Sequence, residues 1–155
     1  MVFSMQPDAF SGVQVVRALS RDEARQVLQM AAEAGLVHCV SNNQQELWYI
    51  CNCCTCSCGI LRGMAELGAA NVVARSAFIN RVDDALCIAC GECVDTCPFH
   101  ALTLDSSLQI FELRCVGCGV CVPVCPQGAL GLERRAEAMQ PPATEADWRS
   151  ARRSA

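Results

Sequence analysis

The alternation of apolar and polar residues in the first part of the chain predicts one helix and two strands. Ser20 and Glu23 have the spacing of a capping box, apolar residues then recur at helical intervals, and Gly35 is placed to end the helix. The apolar stretches 36–40 and 47–50 are separated by a polar loop and are both predicted to be strands. This part therefore has a small α/β pattern.

The second part of the chain predicts four short strands. Residues 78–82 are predicted to be the first strand, and residues 102–104 and 108–111 alternate around a polar turn as in a hairpin. Residues 130–132 are the candidate closing strand. After them, a helix is predicted over 133–140, followed by a proline break and a second helix that begins near residue 144.

Composition limits the class of protein. Of 155 residues, 14 are cysteine and only eight are aromatic, so side-chain packing alone makes a thin core. The formal charge of −4 argues against a nucleic-acid partner, which would need a basic face. We find no apolar run of about 18 residues that could span a membrane. The start of the chain, 1–8, has neither the basic nor the apolar part of a signal peptide. We therefore expect a cytoplasmic protein, in which dense cysteines bind metal more often than they form disulfides.

Eight of the cysteines belong to an internal repeat. The run C-x2-C-x2-C-x3-C followed by proline occurs twice, and an offset of 28 residues maps the first copy onto the second. The first copy is Cys87, Cys90, Cys93 and Cys97, and the second is Cys115, Cys118, Cys121 and Cys125. Two zinc sites are the alternative, but zinc pairs usually stand a dozen or more residues apart. The repeated run favours two iron–sulfur clusters.

Residues 78–132 resemble the bacterial-type dicluster ferredoxins, in which this cysteine run is a known pattern. The resemblance implies a ferredoxin-like (βαβ)2 fold with two buried [4Fe-4S] clusters, and a fourth ligand exchanged between the repeats. Cluster I would then be held by Cys87, Cys90, Cys93 and Cys125, and cluster II by Cys97, Cys115, Cys118 and Cys121.

Five further cysteines lie within eight residues, directly after the second predicted strand and before a helix expected near Gly59. Crowded thiolates repel one another unless a cation shares them, so the run predicts a third iron–sulfur cluster. Its ligands would be four of Cys51, Cys53, Cys54, Cys56 and Cys58. Zinc or an oxidisable thiol patch is the alternative. Cys39 is interpreted as a small buried apolar residue rather than a ligand.

This first half is also similar to an N-terminal module that precedes dicluster repeats in some bacterial iron–sulfur proteins. The shared features are the segment 34–38 and the strand that leads into 51–54. Those relatives often have the denser run C-N-C-C-x-C-C-C, and Ser57 stands where a further cysteine would be expected.

Together these patterns predict an α+β protein with three parts: an N-terminal module over 1–76, a dicluster domain over 77–133 and a tail over 134–155. The tail is either solvated or a docking element. Neither a nucleophile–base pair nor an open metal site is recognisable, so we expect an electron carrier rather than an enzyme. Its acidic charge suits a basic patch on a reductase or an electron-accepting enzyme. The alternatives are a redox or iron sensor, a scaffold, and an iron–sulfur subunit of a larger catalytic complex.

Overall fold

A computed structural model describes residues 1–4, 6, 8–14, 16–68 and 76–153 of the chain. The described residues form a mixed α/β structure with three two-stranded antiparallel sheets. In chain order, the elements are α1 (Arg21–Glu33), β1 (Val37–Cys39), β2 (Cys51–Cys53), α2 (Gly59–Leu67), β3 (Phe78–Val82), α3 (Glu92–Thr96), β4 (Leu102–Leu104), β5 (Leu108–Ile110), β6 (Leu130–Arg134) and α4 (Glu145–Arg153).

Helix α1 begins and ends as predicted. The Ser20 hydroxyl accepts a hydrogen bond from the Glu23 backbone N–H at 3.2 Å, and the Glu23 carboxylate accepts one from the Ser20 N–H at 2.8 Å. The Ser20 backbone bond, with help from the Arg17 guanidinium, lowers the pKa of Glu23 to about 2. At the other end Gly35 takes a left-handed φ of 71°, and the Leu36 N–H closes the last turn on the Ala31 carbonyl at 2.9 Å.

The strand predicted over 47–50 is wrong, because β2 lies on the cysteine run itself. Cys51 stands opposite Cys39, and Cys53 stands opposite the buried Val37. Paired in this register, β1 and β2 direct thiols and an apolar side chain to the same face. Residues 47–50 instead contact the start of the chain, where Tyr49 forms a bridge with Val2.

All four strands predicted for the second half are confirmed, and they pair across the duplication. β3 pairs with β6, and β4 pairs with β5. Val82 stands opposite Leu130, and Ile110 stands opposite Leu102, so the offset of 28 carries one pairing onto the other. Each repeat's leading strand therefore pairs with the closing strand of the other repeat. The three-dimensional (βαβ)2 arrangement as a whole stays a prediction.

The N-terminal part packs on one side of the duplicated part. A buried apolar cluster joins residues from both, namely Val37, Leu61, Ala65, Phe99 and Val120. Arg114 reinforces the contact, because its guanidinium donates to the Phe99 carbonyl at 2.8 Å and to the Ala65 carbonyl of α2 at 2.7 Å. Helix α2 is thereby fixed to the loop that carries the second cysteine run.

The predicted helix over 133–140 is wrong. β6 continues to Arg134 because Glu133 and Arg134 pair with Ile79 and Phe78. The later helix is confirmed as α4, where the Thr144 hydroxyl accepts from the Asp147 N–H at 3.2 Å. Among the described residues, no helix has the length and apolar character needed to cross a membrane.

Candidate metal centres

The four thiols predicted for cluster I surround one cavity. Cys87, Cys90, Cys93 and Cys125 all line it, together with apolar side chains that include Leu104. The cavity holds about 360 Å³ of space between atoms, part of which is open to solvent. Burial raises the pKa of Cys93, and the neighbouring Cys90, Cys125 and Cys87 thiols raise it further. The structure thus brings Cys125 from the second repeat to the three cysteines of the first.

The four thiols predicted for cluster II are also neighbours. Burial raises the pKa of Cys118 to about 11, and interactions with Cys97 and Cys115 add to the effect. Burial raises the pKa of Cys121 to about 12, with contributions from Cys118, Cys97 and Cys115. Thiols with raised pKa values are protonated near neutral pH, so binding of a metal cluster would release their protons.

Backbone N–H groups point at the fourth cysteine of each run. The Ala101 N–H donates to the Cys97 sulfur at 3.4 Å, and the Ala129 N–H donates to the Cys125 sulfur at 3.3 Å. Burial opposes ionisation of Cys125, but backbone N–H donors led by Ala129 outweigh it and lower its pKa. Thiols grouped in this way, with N–H donors already aimed at sulfur, are a donor set that suits [4Fe-4S] clusters.

Asn80 belongs to this site, although it was not among the predicted site residues. Its side chain, on β3, is 2% exposed, and its amide Nδ2 donates to the Cys121 sulfur at 3.3 Å. The residue 28 positions later is the apolar Leu108, so the two repeats differ here. The sequence does carry a signal for this role. It is a polar residue on the inward face of a predicted strand, at a position where the other repeat has leucine.

The cysteine loops share an unusual backbone. Ala89 and Gly117 occupy equivalent repeat positions and both have left-handed φ, at 55° and 66°. A Cβ added at Gly117 would overlap with the Phe78 carbonyl of β3. Only glycine fits at this second position, because the loop there lies directly against the backbone of the first strand.

The six cysteines of the N-terminal part divide into a bonded pair and a group of four free thiols. Cys54 and Cys56 form a disulfide. Cys39, Cys51, Cys53 and Cys58 carry free thiols. The Cys51 thiol donates to the Cys39 carbonyl at 3.5 Å. Four ligands were predicted among Cys51, Cys53, Cys54, Cys56 and Cys58, and three of these five cysteines have free thiols in the structure. The set of ligands stays a prediction.

Cys39 lies beside these thiols, although we interpreted it as a small buried apolar residue rather than a ligand. Burial raises its pKa to about 12, and the Cys51, Cys53 and Cys58 thiols contribute to the rise. Across the described residues, no group of three or more histidine, cysteine or acidic side chains is arranged to hold a metal ion as the side chains stand.

The two repeats differ in exposure. Ile88, in the first cysteine loop, is 60% exposed, and Cys90 beside it is exposed as well. The equivalent Val116 in the second loop is partly buried against the apolar cluster shared with the N-terminal part. One thiol group therefore faces the surface, and the other lies under the N-terminal part.

Comparison with protein families agrees with this description. Residues 86–129 match the family model of the 4Fe-4S dicluster domain, a stretch that contains all eight repeated cysteines. A search of the curated proteins finds no match to the chain. A 4Fe-4S dicluster domain is thus present, which gives the protein iron–sulfur binding and a ferredoxin-like role in electron transport.

Proposed function

We propose that the protein is a non-catalytic carrier of single electrons, with two [4Fe-4S] clusters in a (βαβ)2 domain over 77–133. Cluster I is held by Cys87, Cys90, Cys93 and Cys125, and cluster II by Cys97, Cys115, Cys118 and Cys121. The observation that carries the proposal is the cavity lined by Cys125 together with the three cysteines of the other repeat. The N-terminal module over 1–76 adds a third metal site, and the tail over 134–155 completes the chain.

Full cysteine ligation favours electron transfer over catalysis. When four thiolates occupy the four irons of a cubane, none of the irons is open to a substrate. Several of the ligands are buried or accept hydrogen bonds, so they move little when one electron is added. The reduction potential is then set by burial and by the N–H donors at Cys97, Cys121 and Cys125.

Electrons enter or leave through the exposed loop of cluster I. Ile88 and Leu86 present exposed apolar side chains there, and the exposed carboxylates of Asp83 and Asp84 flank them. A small apolar contact ringed by negative charge suits a redox partner with a basic rim around its own cofactor. The partner is a reductase or an electron-accepting enzyme, or a larger complex of which this chain is a subunit.

Ligand exchange gives the sharpest test. In anaerobically reconstituted protein, Cys125→Ala should abolish the same EPR signal as Cys87→Ala. Likewise, Cys97→Ala should abolish the same EPR signal as Cys121→Ala. Each variant should lose about four irons, the content of one cubane. Pairing of Cys125 with the Cys121 signal instead would refute the exchanged ligand sets. Reversible one-electron reduction with constant iron content supports the carrier.

One observation favours a second candidate, a redox or iron sensor. The Cys54–Cys56 disulfide lies within the same run as free thiols, so this run can hold sulfur in two oxidation states. A sensor would lose iron from its N-terminal site on mild oxidation and recover it on reduction. A carrier would keep its iron through the same cycle.

A further inference from the structure

We propose that Cys39, Cys51, Cys53 and Cys58 bind a third iron–sulfur cluster, and that Cys54 and Cys56 are not ligands. This assignment deepens the proposed function, on which it rests, by naming the ligands of the N-terminal metal site. It also gives Cys39, which lies outside the dense cysteine run, a role as a ligand.

Strand register places three of the four thiols on one face. Cys39 and Cys51 are directly opposite each other in the β1–β2 pair, and Cys53 is two residues further along β2. Side chains alternate between the faces of a strand, so residues 39, 51 and 53 share a face, and directly opposite Cβ atoms are about 5 Å apart. The other face carries His38 and Asn52, whose side chains hydrogen-bond to each other at 2.8 Å.

The fourth thiol comes from the start of α2. Cys58 is the N-cap of that helix, and its backbone N–H donates to the Cys54 carbonyl at 3.1 Å, which turns the chain back toward the hairpin. Cys39, Cys53 and Cys58 all pack against the same buried cluster, which includes Val37 and Leu61. The thiols thus converge from three segments of the chain onto one partly buried region.

The disulfide accounts for the two remaining cysteines. Cys54 and Cys56 are bonded to each other, and Cys56 is exposed. Their sulfurs are occupied, and those of the other four are free thiols. The division of six cysteines into four and two supplies the number of thiolates that an all-cysteine cluster needs.

The position of this site suits a redox centre. Cys97 and Cys118, both proposed ligands of cluster II, pack against the same apolar cluster as Cys39, Cys53 and Cys58. A redox centre at this position would be a close neighbour of cluster II. Electrons could then pass from the exposed cluster I through cluster II to the N-terminal part.

The test uses the full chain, reconstituted anaerobically with iron and sulfide. We expect about 12 irons per chain if the third centre is a cubane, and about 10 if it is a [2Fe-2S] centre. Cys39→Val keeps a small apolar side chain at the same place and should remove only the third centre's iron and its EPR signal. The matched control is the double variant Cys54→Ser with Cys56→Ser, which should keep the full iron content.

The outcomes separate this inference from the proposed function. About eight irons with one zinc, or about eight irons with no other metal, would overturn the third cluster while leaving the carrier intact. Full iron content in Cys39→Val, with loss in the double variant, would overturn the ligand set. Absence of the two cubane signals from the unaltered chain would instead refute the proposed function.

A second measurement does not depend on the variants folding. The loaded chain is treated with iodoacetamide under native conditions, and the modified cysteines are mapped by mass spectrometry. Protection of Cys39 together with Cys51, Cys53 and Cys58, lost when iron is removed by a chelator, is the expected result. Equal modification of Cys39 in loaded and iron-free protein would overturn its assignment as a ligand.

Discussion

The buried amide of Asn80 should make the two proposed clusters differ in reduction potential. Its Nδ2 donates to the Cys121 sulfur, whereas the equivalent position of the other repeat is Leu108. A donor near a thiolate stabilises the reduced, more negative cluster more than the oxidised one. The change Asn80→Leu makes the two repeats alike at this position and removes the donor without leaving a large cavity.

The size of the effect follows from the strength of the bond. Hydrogen bonds to charged groups contribute about 1.5–3 kcal/mol. We take about one third of this, about 0.5–1 kcal/mol, as the part of the bond energy that arises only on reduction. For one electron, about 1.4 kcal/mol corresponds to about 59 mV, so loss of the Asn80 hydrogen bond should lower the reduction potential by about 20–40 mV. Stability should change little, because the Asn80 Oδ1 atom is buried and has no hydrogen-bond partner among the described residues.

Redox titration followed by EPR measures the two potentials separately. We expect the cluster that Cys121→Ala abolishes to shift in Asn80→Leu, and the other to stay in place. The control is Gln109→Leu, an exposed change on β5 whose side chain bonds to Ser107. An unchanged potential, or a shift of the cluster that Cys87→Ala abolishes, would refute this account of Asn80.

Three further predictions concern the fold and the surface. Gly117→Ala should destabilise the protein by more than about 2 kcal/mol in chemical denaturation, because its Cβ overlaps with a backbone carbonyl. Gly131→Ala, where an added Cβ meets no described atom within 4 Å, should have a much smaller effect, and equal losses would contradict the reasoning. Arg114→Met removes two hydrogen bonds to carbonyls, so it should lower the free energy of unfolding by about 2 kcal/mol and speed hydrogen exchange in α2. Unchanged exchange would show that the guanidinium does not hold this helix. Asp84→Arg should slow electron transfer to a basic partner about 3–10-fold at low salt and weaken its salt dependence, whereas the same reversal at Asp22 on α1 should not.

Much of the fold was predictable because the relevant signals are local. The strands 78–82 and 102–104 follow from short segments of strand-forming residues, and the ends of α1 follow from Ser20 and Gly35. The position of β2 was not predictable in this way. Trp48 and Tyr49 favour a strand by propensity, but the pairing is decided by which residues can share a buried face with Val37.

The candidate site also combines residues that the sequence predicts with residues that only the fold reveals. The repeat and its spacing identify eight cysteines without any structure, because the spacing within each run is visible in the sequence itself. Asn80 and Cys39 are far along the chain from the thiols beside them. The pairing of β3 with β6 positions Asn80, and the pairing of β1 with β2 positions Cys39. Strand register and tertiary contact, rather than spacing, bring their side chains to sulfur.

The crossed pairing of the repeats has a consequence for how the chain is made. β3 is the first strand of the duplicated part to leave the ribosome, but its partner β6 begins at Leu130, 48 residues after Val82. Until β6 is synthesised, β3, which leads into the first cysteine loop, has no strand to pair with. Cys125, which lies beside that loop in the folded protein, is synthesised just before β6. The half of the domain that β3 and β6 close therefore cannot form until the second repeat is complete, whereas β4 and β5 pair within the segment 102–110. A truncation within β6 should therefore prevent the β3–β6 half from assembling, although Cys125 is present, and should leave β4 and β5 able to pair.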